Sequence, residues 1–110
     1  MGGITKFKPI HQNLMIRDAL WAAANHARNT ATLVDTYRTQ AEADIYQIRQ
    51  LLDQCLRVAP AALEEGGLTI ERWELIQNTI EQVDSSLVPE KEMRLRISEK
   101  LEQSADVAEA

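Results

Sequence analysis

The sequence predicts an all-α fold of three or four amphipathic helices, and three observations predict it. Ala, Leu, Glu, Gln and Arg dominate, while 4 Gly, 3 Pro and 5% aromatics leave little for turns or sheets. Between Leu20 and Ala59, steps of four and three residues give Leu20, Ala24, Ala27, Ala31, Val34, Arg38, Ala41, Ile45, Ile48, Leu52, Cys55 and Ala59. Only Arg38 interrupts this apolar seam, whose spacing is that of a helix facing another helix. Trp73, Ile76, Ile80, Val83 and Leu87, and then Met93, Ile97 and Leu101, repeat the pattern. With 110 residues the chain forms one helical domain, long enough for a modest core.

Residues 1–10 are expected to form an extended arm. Gly2, Gly3 and Pro9 disfavour helix there, while Ile4, Phe7 and Ile10 alternate with Lys6 and Lys8. Helical spacing begins near His11 to Asn13, where Asn13 is placed to cap the first turn. Ala22, Ala23, Ala24, Ala27 and Ala31 follow, and small side chains on the seam favour close approach of two helix axes.

Residues 13–59 read as either one helix or a hairpin. One helix of that length runs about 70 Å, far beyond a compact domain, and needs a second chain to cover it. A hairpin would break at Thr36–Thr39, where Arg38 spoils the seam and Thr39 to Glu42 has capping-box spacing. That region has no Gly or Pro, so the uninterrupted helix, paired in a homodimer, is the favoured reading. Pro60 is expected to end it, with at most one further turn before Gly66-Gly67.

Thr69 offers an N-cap for the third element, and Glu71 suits the helix dipole. Asp84-Ser85-Ser86 ends that helix, Pro89 opens the last one, and residues 104–110 read as a frayed acidic tail.

The net charge of −5 is unevenly spread: residues 1–57 carry seven Lys/Arg against five Asp/Glu, and residues 58–110 carry five against twelve. An acidic total argues against nucleic acid and anionic membranes as general partners. A single Cys55 forms no internal disulfide, no apolar run approaches a membrane span, and the first residues lack the pattern of a signal peptide. A cytoplasmic location is the expectation.

Catalytic chemistry finds little support. His11 and His26 lack the Glu and His spacings of helical metal sites, so no metal or cofactor is expected. Cys55 lies on the seam and reads as a small core residue, and Gly66-Gly67 lacks the Lys and Ser/Thr of a phosphate loop. No enzyme is expected.

The expected function is therefore protein–protein interaction or regulation, with the protein itself and another protein as partners. The seam residues Leu20, Ala24, Ala27, Ala31, Val34, Ile45, Ile48 and Leu52 form the expected interface, and Trp21, Tyr37, Tyr46 and Trp73 are candidate anchors. The alternative is a nucleic-acid-linked role. Residues 69–104 resemble two helices of a helix-turn-helix, with Arg94, Arg96 and Lys100 on the second, but Glu90, Glu92, Glu99 and Glu102 offset their charge. An acidic mimic of nucleic acid, blocking a basic partner, is the other form of that alternative.

Overall fold

The computed structural model describes residues 12–29, 31, 38–87 and 91–109, with the side chains of residues 38–41 excluded. Every regular element among them is helical. They are α1 (Gln12–Asn29), α2 (Arg38–Glu65), α3 (Ile70–Ser85) and α4 (Lys91–Glu109). Among the described residues, no helix is long and apolar enough to cross a membrane.

Cross-helix contacts fix the topology. Cys55 approaches Ile16 and Asp44 meets His26, so α1 and α2 run antiparallel. Asn13 meets Ala108 and Arg28 meets Glu102, which sets α4 antiparallel to α1. Arg72 reaches Val107, and Arg49 reaches Asp84. The result is an up-down-up-down bundle in which α1 packs on α4 and α2, α3 packs on α4, and α2 touches α3 least.

The favoured single long helix is thus corrected to a hairpin. The seam expected to pair two chains closes within one: Leu20, Ala24, Ala27, Ala31, Ile48 and Leu52 are all buried in the monomer, and Ile45 is partly buried. A continuous helix would leave this stripe in water, whereas folding back lets its halves cover each other. α1 ends at Asn29 and α2 begins at Arg38, so of the expected break at Thr36–Thr39 the second half, Arg38 and Thr39, is already helical. The arm expected over residues 1–10 lies outside the described residues, as do Val34 and Tyr37.

Pro60 does not end α2, which continues to Glu65. Proline removes the donor to the Leu56 carbonyl, but Pro60 and Leu56 both lie on the exposed side, where water can replace that donor. Gly66 then supplies the left-handed turn, with φ 82°, that terminates the helix. Thr69 caps α3 as expected, its hydroxyl accepting from the Arg72 N–H at 3.2 Å.

The frayed tail expected over 104–110 is instead the end of α4, to Glu109, because Ser104, Ala105 and Ala108 are buried. Two side chains satisfy its terminal carbonyls: Asn13 Nδ2 donates to Ala108 and Arg72 to Val107, at 3.0 and 3.3 Å. Asn13 is therefore not the N-cap. It lies inside α1, buried, and bridges to the last turn of α4.

Candidate functional site

Weak packing between α2 and α3 opens a groove of about 190 Å³. α2 contributes Arg49, Leu52, Asp53 and Leu56, and α3 contributes Gln77, Ile80, Glu81 and Asp84. Leu52 and Ile80 belong to the core and form the apolar floor, while Leu56 is 41% exposed. The rim carries three carboxylates and one guanidinium, and Arg49 Nε pairs with Asp84 Oδ1 at 3.3 Å. Both partners are exposed, so this pair adds little stability. It leaves Asp53 and Glu81 as the surplus negative charge.

The same sign continues over α3. Glu71, Glu74, Glu81 and Asp84 are exposed. The helix's one cation, Arg72, is turned away to the carbonyls of Gly67 and Val107.

A second polar cluster joins α1, α2 and α4. Asp44 is buried and receives His26 Nε2 at 2.9 Å on one oxygen and Arg94 at 3.7 Å on the other. Arg94 is fully buried. Burial pushes its pKa down and the neighbouring Asp44 carboxylate opposes that shift. A buried pair of this kind fixes how three helices meet, and its geometry is that of a structural tie. Arg94 is thereby corrected from a phosphate-facing residue to an interior one, which leaves only Arg96 and Lys100 of that set exposed.

The candidate anchors separate. Trp73 fills the core, Trp21 is half-buried on a shallow surface with Arg17, Asp18 and Glu109, and Tyr46 stands 62% exposed. Cys55 is buried against the Ile16 carbonyl, and burial pushes its thiol up to about 12. That is the setting of a core residue, not of a nucleophile.

Arg94 and Asp44 were missed as interior residues, although a signal existed. The buried row of α4 is Arg94, Ile97, Leu101, Ala105 and Ala108, and extending Ile97–Leu101 backwards by three lands on Arg94. Asp44 likewise lies one turn before Ile48. Comparison of the chain with family models, curated proteins and solved structures finds no match.

Proposed function

We propose that this chain is a non-enzymatic, regulatory interaction protein that receives a basic, amphipathic helical segment of a partner protein in the α2–α3 groove. The groove itself carries the reading. Its Leu52, Ile80 and Leu56 surface suits apolar side chains, and Asp53, Glu81 and Asp84 suit Lys or Arg flanking them. Tyr46, one turn from Arg49, extends the apolar surface along α2. Peptide display against the full chain tests this. Selected peptides should carry apolar residues at helical spacing with Lys or Arg between them, bind less tightly as salt rises, and lose binding to the Glu81→Lys, Asp84→Lys variant. Selection of neutral or acidic peptides, or binding indifferent to that variant, overturns the proposal.

The exposed carboxylates of α3 favour a second reading, in which the acidic face imitates a nucleic acid. Under it, the captured basic partner would be displaced by duplex DNA. A partner seated in the groove would also lose binding when the half-exposed Leu56 is replaced by Ser, whereas a partner held by the acidic face alone would not.

A further inference from the structure

α3 has a second flank. Gln77, Glu81 and Asp84 border the groove with α2, whereas Gln82 and Ser86 border a depression with Met93, Arg96 and Lys100 of α4. Each depression measures about 190 Å³, and their charges are opposite. The groove holds Asp53 and Glu81 beyond its Arg49–Asp84 pair. The α3–α4 edge is lined by two cations and, among the described residues, by no carboxylate. Arg96 and Lys100 are both exposed, and no ion pair among the described residues engages either. Glu102 of the same helix turns instead to Arg28 of α1.

We infer that the α2–α3 groove takes the α3–α4 edge of a second copy of this chain, in a heterologous contact that adds copies head to tail. The inference rests on the reading of the groove as the receiver of a basic helical surface, and it names an occupant. α4 presents such a surface: the half-buried Met93 and the exposed Arg96 and Lys100 follow at steps of three and four along one edge. The apolar stems of Arg96 and Lys100 lie over the half-exposed Leu56, and their charged heads meet Asp53 and Glu81, the surplus carboxylates of the groove. Charge also decides between arrangements. Groove against groove sets surplus carboxylates together, and edge against edge sets four cations together. Pairing two α3 helices face to face crowds the exposed Glu71 and Glu74 of both copies. Only unlike faces attract. Because they lie on the two flanks of α3, a contact that fills one face of a copy leaves its other face open, and growth does not stop at two copies.

Light scattering on the full chain across a dilution series tests this. At low salt the mean mass should rise with concentration past that of a dimer, and it should fall towards the monomer as salt screens the contact. Neutralising the groove with Asp53→Asn and Glu81→Gln, or the edge with Arg96→Gln and Lys100→Gln, should each weaken self-association about tenfold. All four residues are exposed, so the helical circular dichroism should stay unchanged. Mixed together, the two variants keep one intact edge and one intact groove between them, and they should form an equimolar pair that grows no further. A monomer at every concentration, a dimer that never grows, or a mixture that fails to pair overturns the inference. Should basic peptides still be selected in that case, the reading of the groove survives the loss. Assembly that needs both faces, with no basic peptide selected, supports the inference and leaves the groove to the protein itself.

Discussion

The guanidinium of Arg94 lies 3.7 Å from the carboxylate of Asp44, both buried, and the pair links α4 to α2 beneath the end of α1. Removing Arg94 takes a full positive charge away from the buried Asp44 carboxylate, which keeps His26 at 2.9 Å. Arg94→Ala should lower the unfolding free energy by about 3–5 kcal/mol in urea titration. Arg94→Met with Asp44→Asn should recover most of that loss, because the double change removes both charges and keeps the volume. Equal losses in the single and double variants would show that packing, not charge, holds this junction.

Ile48 is fully buried at the contact of α2 with α1. Ile48→Asp places a second carboxylate in the core, one turn from the buried Asp44, at a cost of several kcal/mol, roughly that of an unpaired buried charge. Calorimetry should show a lowered or absent cooperative transition. An unchanged melting temperature would remove Ile48 from the core.

Two neighbouring glycines should respond differently to alanine. At Gly66 nothing lies within 4 Å of an added Cβ, and only the φ of 82° resists it, so Gly66→Ala should cost about 1 kcal/mol. At Gly67 the new Cβ would meet Asn13 Oδ1 at 2.7 Å. Asn13 must then move, and its bond to Ala108 is lost with it. Faster amide exchange in the last turn of α4 should accompany Gly67→Ala but not Gly66→Ala.

Cys55 reports on opening of the core. Its thiol is pushed up to about 12 from an ordinary value of 9.0, so the folded state holds this proton more tightly than the unfolded chain. The stability it contributes is complete below pH 9.0 and is lost as pH rises towards about 12. Cys55→Ala should flatten the alkaline limb of a stability–pH curve, although it also removes core volume at every pH. At neutral pH an aromatic disulfide reagent should label Cys55 only at the rate of unfolding.

The helices, the cap at Thr69 and the apolar face of α3 were legible because each follows from spacing or local chemistry. The hairpin was not, since one unbroken seam is equally compatible with two chains side by side or one chain folded back. The buried Arg94 and Asp44 were hidden by residue type: charge argues for the surface until a partner from another helix is known. The end of α4 was missed for the opposite reason. Ser104, Ala105 and Ala108 are too small to signal a face, yet they pack against α1 because they are small. Of the groove, Leu52 and Ile80 were read as apolar positions, but the gap between their helices is a tertiary fact.

α1 packs most extensively on α4, and Asn13 closes on Ala108 from 95 positions away. During synthesis the first helix therefore emerges long before its principal neighbour exists. The α1–α2 hairpin must shelter the alanine face in the interval, and one side of α1 stays open until Ala108 has left the ribosome. The nascent chain is vulnerable to aggregation in that window, and a pause before α4 is translated would prolong it.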